Sequence, residues 1–176
     1  MPRASLPESR RTFELPFHAH SGEELEAISD VGARAKLRMG GVVAEAFPSI
    51  EAIVEMMRAL AAHRLSFKAT AGLHHAIRSH HAFTYRPDSP AGTMHGFLNL
   101  ACAAALVYFG GEANDARRLL EERDPGAWKV TSEGLAWREL YWSADQFRTA
   151  RENFLVSFGS CSFAEPIHDL EALGWL

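Results

Sequence analysis

LSFKATAGLHH, residues 65–75, is the stretch on which the fold turns. In an extended segment Leu65, Phe67 and Ala69 point to one side while Lys68 and Thr70 point to the other. Gly72 punctuates the run, and two adjacent histidines, His74 and His75, follow it. A lysine inside a half-buried strand is costly unless it is paired, solvated or used chemically. What surrounds Lys68 therefore carries the rest of the reading.

Upstream, TFELPF (12–17) alternates, and SGEELEAISDVG follows with a capping-box pattern, Ser21 to Glu24, and Gly32 as a stop. RAKLRMGG (34–41) is a second short strand, and FPSIEAIVEMMRALAAHR (47–64) carries apolar residues at helical spacing. Strand, helix, strand, helix, strand at this spacing predicts βαβ units and a parallel sheet. After Gly72 the rhythm breaks into a polar, proline-containing loop, then an apolar helix near 95–109 and a charged one near 112–123. AWKVTSEGLAWRELYW (127–142) resembles a hairpin turned at Ser132–Gly134, and Ser143 to Gln146 is another capping box. FLVSFG (154–159) is a fourth strand, and a short helix after Pro166 closes the chain. The expected fold class is α/β: a partial, half TIM-barrel-like parallel sheet with flanking helices and an inserted helical and hairpin segment. A single domain is expected over 12–176, preceded by a flexible N-terminal arm, 1–11.

Sorting the four strands by parity gives one apolar face, with Phe13, Leu15 and Phe17, Ala35 and Leu37, Leu65, Phe67 and Ala69, and Phe154, Val156 and Phe158. The other face holds Glu14, Lys36, Arg38, Lys68, Thr70 and Ser157. A structural ion network, Glu14 with Arg38 or a lysine, is one account of these charges. Three cations against one carboxylate leave positive charge that a small anionic metabolite would balance. Gly40 and Gly41, and Gly159 with Ser160, come directly after strands, where backbone can approach a phosphate or carboxylate. The expected catalytic set is Lys68 as amine nucleophile, Lys36 beside it, and Glu14 or His74 moving protons. The expected ligand-binding set is Arg38, Thr70, Gly40, Gly41, His75, Asn99, Gly159 and Ser160.

Adjacent histidines diverge on a helix, and there is no HExxH, so a metal is not expected unless loops bring several histidines together. No cofactor is expected. His74, His75 or His95 can serve as an acid–base or ligand-orienting group. His18, His20 and His63 read as surface or helix-end residues. Cys161, between Ser160 and Ser162, is a candidate nucleophile, but with no base near it in sequence the favoured reading is a small packed residue.

Composition bounds the function. With 176 residues, 47% hydrophobic and 23% charged, the chain can bury a real core. A net charge of −4 without any Lys/Arg cluster argues against a nucleic-acid partner. Two cysteines and no CxxC suggest neither a disulfide framework nor structural zinc, which fits a reducing cytoplasm. MPRASLPESRR lacks the apolar core of a secretory signal, and FLNLACAAALVYFG (97–110) is too short for a comfortable membrane span. Four strands cannot close a barrel, so a homo-oligomer is expected, formed through a sheet edge or the apolar helix near 97–109.

Two likenesses attach to these residues. FKATAG resembles the deoxyribose-phosphate aldolase strand that carries the Schiff-base lysine in a Lys-Thr-Ser-Thr-Gly pattern, and AKLRMGGV looks like that family's second-lysine motif, Lys-x-x-Gly-Gly-x-Arg. Here the arginine is displaced and the two motifs come in the opposite order along the chain. Over almost its whole length, from FELP through KLRMGG, FKATAGLHH and HGFLNL to SFGSCSF, the chain also resembles the C-terminal part of a bacterial family of longer, barrel-like proteins for which no reaction is established. That family has Arg-Thr-Gly-Gly at Arg38–Gly41 and His-His-Pro at His74–Ala76. The bacterial family implies the fold and the site location but no reaction; the first functional reading, carried by Lys68 beside Lys36 and Arg38, is a lysine-dependent, lyase or aldolase-like enzyme acting on a small anionic carbonyl compound. The alternatives are a non-catalytic module binding a phosphate or carboxylate metabolite, and a structural half-barrel that serves oligomerisation.

Overall fold

The computed structural model describes residues 11–18 and 21–176. In chain order it contains β1 (Thr12–Glu14), α1 (Gly22–Asp30), β2 (Arg34–Arg38), α2 (Ile50–Ala62) and β3 (Phe67–Thr70). A long excursion follows: β4 (Ser79–Ala82), β5 (Ala91–Met94), α3 (Phe97–Tyr108), α4 (Ala113–Glu121), β6 (Trp128–Val130), β7 (Gly134–Trp137), β8 (Leu140–Ser143) and α5 (Ala144–Asn153). The chain then returns through β9 (Leu155–Gly159) and α6 (Ala164–Ala172). The main sheet has the order β1-β2-β3-β9 with every neighbouring pair parallel. The fold is thus α/β, a four-stranded parallel sheet flanked by helices. The expected N-terminal arm lies outside the described residues except for Arg11, whose carbonyl accepts the Arg34 N–H at 3.0 Å.

Local signals set the helix starts. The Ser21–Glu24 capping box forms with bonds of 2.9 and 3.1 Å, and the Ser143–Gln146 box with 2.9 and 3.2 Å. α6 starts ahead of Pro166 rather than after it, because proline in a first turn removes an N–H that has no helical partner anyway. The expected loop after Gly72 contains an antiparallel hairpin, β4–β5, and the expected two-stranded hairpin is a three-stranded meander, β6-β7-β8. Its extra turn passes through Arg138, held at φ 50°.

The apolar face of the sheet packs under the helices. Ala35, Leu37, Phe67 and Ala69 are fully buried against a cluster that includes Ile53, Met56, Met57 and Leu60. In β9 the parity differs from expectation. The register shifts between Phe67 and Lys68, so Phe67 pairs with Leu155 and Lys68 with Ser157, leaving Val156 as the extra residue of a bulge. Leu155 therefore joins the core in place of half-exposed Val156, while Phe154 precedes the strand and packs edge-on against Phe67 at 5.0 Å. Phe13, on the edge strand, is 48% exposed.

α3 runs through the interior, in contact with α2, α4 and α5, and buries nine of its twelve residues. It belongs to the core and offers no free apolar face for self-association. Asn99, on this helix, is fully buried: its Nδ2 donates to the carbonyls of Leu119 (2.7 Å) and Glu122 (2.9 Å), and its Oδ1 accepts the Arg78 N–H (2.9 Å). The residue expected to bind a ligand is instead a buried staple that ties the end of α4 and the post-β3 loop to α3. Asn99→Ala removes the partners of the Glu122 carbonyl and the Arg78 N–H, while the Leu119 carbonyl keeps the Glu122 N–H at 3.4 Å, and urea unfolding is expected to show a loss of about 2 kcal/mol; a loss below ~1 kcal/mol would contradict this role.

Candidate functional site

The polar face of the sheet is assembled in register. Glu14 pairs with Lys36 across β1 and β2, Lys36 with Lys68 across β2 and β3, and Lys68 with Ser157 across β3 and β9, so these four residues form one row across the sheet. One step further along, Arg38, Thr70 and Gly159 form a second row. The side chains of Lys36 and Glu14 are 30% and 46% exposed and form an ion pair at 2.5 Å. The hydrogen bond from Lys36, aided by the charges of Lys36 and Arg38, holds the Glu14 carboxyl below its ordinary range despite some loss of solvent. Among the described residues Lys68 has no ion-pair partner, and Arg38 is exposed. The Thr70 hydroxyl donates across the ladder to the Leu37 carbonyl at 3.4 Å.

A second group gathers beyond the C-terminal ends of β3 and β9, which are neighbours in the sheet although far apart in sequence. His74 Nδ1 lies 2.7 Å from Glu165 Oε2 on α6 and 3.2 Å from Ser160 Oγ. Cys161 Sγ lies 3.4 Å from His74 Nε2. His75 Nδ1 is 3.2 Å from Asp169 Oδ2, which also accepts the Ala76 N–H at 2.9 Å. Glu165 and Asp169 are four residues apart on α6, so they share a helix face and meet the two adjacent histidines one each. The His75 ring stacks on His81 with centroids 3.4 Å apart, and His81 Nε2 reaches Ser79 Oγ at 2.7 Å. Burial, and then the neighbouring His75, push the pKa of His81 down. Burial opposes ionisation of Glu165, but hydrogen bonds from His74 and Tyr85 outweigh it and hold the carboxyl low. His74, His75, His81, Phe83, Tyr85, Met94, Cys161 and Glu165 line a cavity of about 220 Å³. A larger cavity of about 600 Å³ lies between the meander, α5 and α6, with mostly apolar walls such as Leu98, Leu135, Phe147 and Trp175. It holds none of the reactive side chains described above, so the site is placed at the strand ends and the open sheet face.

Several expected site residues are engaged elsewhere. Gly40 and Gly72 make room for the ring of Phe47: a Cβ on Gly40 would stand 2.4 Å from Phe47 Cε1, so protein, not ligand, fills that approach. At Gly41 a Cβ would meet Ala46 at 2.8 Å. The start of α6 is already capped, with Ser162 Oγ accepting the Glu165 N–H at 3.1 Å and the Ser162 N–H donating to Ser160 Oγ at 3.2 Å. With Glu165 in its first turn, that end of the helix is no cradle for an anion. Gly159, by contrast, is open: a Cβ there would meet only Thr70 Cγ2, at 4.0 Å. His95 is 2% exposed, with Nε2 donating to the Pro48 carbonyl at 2.9 Å and Nδ1 accepting from Arg78 at 2.9 Å, which makes it a structural group. His18 is exposed, His63 caps the end of α2, and His20 lies outside the described residues.

Cys161 is exposed rather than packed, and the imidazole beside it, His74, stands 87 residues away in sequence. Glu165, Asp169, Tyr85 and His81 escape the sequence reading as site residues; only the i,i+4 spacing of the two carboxylates on a terminal helix could have signalled them. Among the described residues no group of three or more His, Cys, Asp or Glu side chains is arranged to hold a metal ion, and no helix is long and apolar enough to cross a membrane. No protein-family profile, curated protein or solved structure matches the chain.

His95 sets a pH dependence. Burial, with the charge of Arg78 adding to it, brings its pKa from 6.5 down to about 4 although the bond to Pro48 opposes this. The unfolded chain then binds more protons than the folded one below pH 6.5, so stability is full above that value and falls as pH drops toward 4. Between pH 7 and pH 5, above the range where the lowered carboxylates titrate, denaturant unfolding is expected to show a loss of about 2 kcal/mol, with a smaller share from His81. His95→Gln should remove most of that slope; an unchanged slope would contradict the assignment.

Proposed function

We propose that the open face of the parallel sheet binds a small anionic carbonyl compound and that Lys68 is its amine nucleophile, in a lyase or aldolase-like reaction. The observation that carries this reading is the in-register row in which Glu14 neutralises Lys36 while Lys68 stays unpaired beside it. Arg38, one row further, adds a guanidinium suited to a carboxylate or phosphate. Lys68 attacks the carbonyl carbon, and loss of water from the carbinolamine leaves an imine that draws electrons from the adjacent bond. Glu14, held ionised by Lys36, is a weak base, so proton movement falls mainly to His74. The four βα units fit half of a (βα)8 barrel, and the sheet ends at β1 without a further partner strand among the described residues, which supports completion by a second copy of the chain.

Incubation with glyoxylate and cyanoborohydride is expected to trap a stable adduct on Lys68, with the exposed Lys129 on β6 as the internal comparison and Lys68→Met free of it. Equal labelling of Lys68 and Lys129 would defeat the nucleophile assignment. A second reading, a non-catalytic site for a phosphate or carboxylate metabolite, is favoured by the exposed Arg38 beside the open backbone of Gly159. It predicts that phosphate raises the melting temperature, that Lys68→Met abolishes the rise, and that no adduct forms.

A further inference from the structure

Cys161, His74 and Glu165 lie in one chain of contacts beyond the sheet, sharing only His74 with the lysine reading. The Cys161 thiol is exposed and its Sγ is 3.4 Å from His74 Nε2, while the other ring nitrogen, Nδ1, is 2.7 Å from Glu165 Oε2. An Nδ1–H donated to the carboxylate leaves Nε2 unprotonated, the tautomer a general base requires; the sulfur, also 3.8 Å from Nδ1, lies to the side of the ring, and rotation of the exposed Cys161 side chain must bring it onto the Nε2 lone pair. Glu165 is itself held in place, its backbone N–H donating to Ser162 Oγ at 3.1 Å. The cavity next to the thiol, about 220 Å³, has Phe83, Met94 and Tyr85 in its walls together with the stacked His75 and His81. That is room for a small group, bounded by apolar and aromatic surface. The ionised Glu165 and the neighbouring Asp169 disfavour a negative charge there.

We propose that Cys161 is a thiol nucleophile that accepts a small uncharged acyl group from an ester or thioester, with His74 as its general base and Glu165 as the residue that positions His74. In this step the thiol proton passes to His74 Nε2, the sulfur forms a bond to the acyl carbon, and the bond to the leaving oxygen or sulfur breaks. The proton then passes from the imidazolium to the leaving group. Water reverses the sequence: His74 takes its proton, the carboxylic acid is released, and the thiol is restored. The sulfur of Cys102 gives a built-in comparison, because it is fully buried and burial drives its thiol well above the usual range.

The test uses p-nitrophenyl acetate on the full chain, following p-nitrophenolate release and mapping the acetyl group by peptide mass spectrometry. The expected result is a burst of about one equivalent, with the acetyl group on the Cys161 peptide and not on Cys102 or Lys68, at least ~tenfold faster in the folded protein than in urea. Cys161→Ser should lose the burst. His74→Asn should slow it by roughly a hundredfold. Glu165→Ala should slow it too, whereas Glu165→Gln, whose amide oxygen still accepts the Nδ1–H, should recover most of the rate; a merely structural role would not separate the two. A folded wild-type protein that acetylates Cys161 no faster than the urea-unfolded chain would overturn the proposal without recourse to any variant. Acetylation of Lys68 alone would overturn it while leaving the lysine reading standing.

Discussion

Placing Lys36 and Lys68 side by side on adjacent parallel strands is the constraint on which the rest of the structure depends. Neighbouring strands lie about 4.8 Å apart, and like charges directly across a ladder oppose pairing by some tenths of a kcal/mol or more. The fold answers on one side only, with Glu14 on the next strand pairing Lys36. A helix laid over this face would have to desolvate an unpaired lysine and an arginine, which costs far more than its apolar contacts would return. The sheet is consequently one-sided, and its hydrophobic burial falls on the face of Ala35, Leu37, Phe67 and Ala69.

The same ladder brings together the group around His74. β3 and β9 are neighbours although some 85 residues of hairpin, helices and meander lie between them. Their pairing sets Lys68 opposite Ser157 and, beyond the strand ends, delivers His74 to Ser160 and Cys161. The excursion fixes this return. α3 and α5 both pack against β9, and Glu122 at the end of α4 accepts bonds from Trp137 and Arg138, tying the meander to the helices. The stapling of α3 by Asn99 secures the same unit from within.

What could be read from the residues was what is local or strictly periodic. The parity of β1 to β3 is visible because alternation has a period of two, and both capping boxes are visible because they span four residues. The bulge at Val156 is invisible to that logic, since one inserted residue reverses the alternation without leaving a mark in composition. The strand of Ser79–Ala82 hides for a different reason: Ser-His-His-Ala has no apolar alternation, and its pairing with β5 comes from tertiary context. The glycines after β2 and β3 read as open backbone, yet their room is taken by Phe47, a contact that no spacing rule contains. The apposition of His74 with Cys161 is the largest omission, and it follows only once β9 is known to lie beside β3.

On the proposed reading, the unbalanced charge on the open sheet face forms a ligand surface. Titration of the 15N-labelled protein with inorganic phosphate, followed by amide chemical shifts, tests it most directly. Saturable shifts are expected, confined to β2, β3 and β9 and centred on Lys36–Arg38, Lys68–Thr70 and Ser157–Gly159. Shifts scattered over surface cations such as Lys129 and Arg148, or centred on the start of α6, would contradict it.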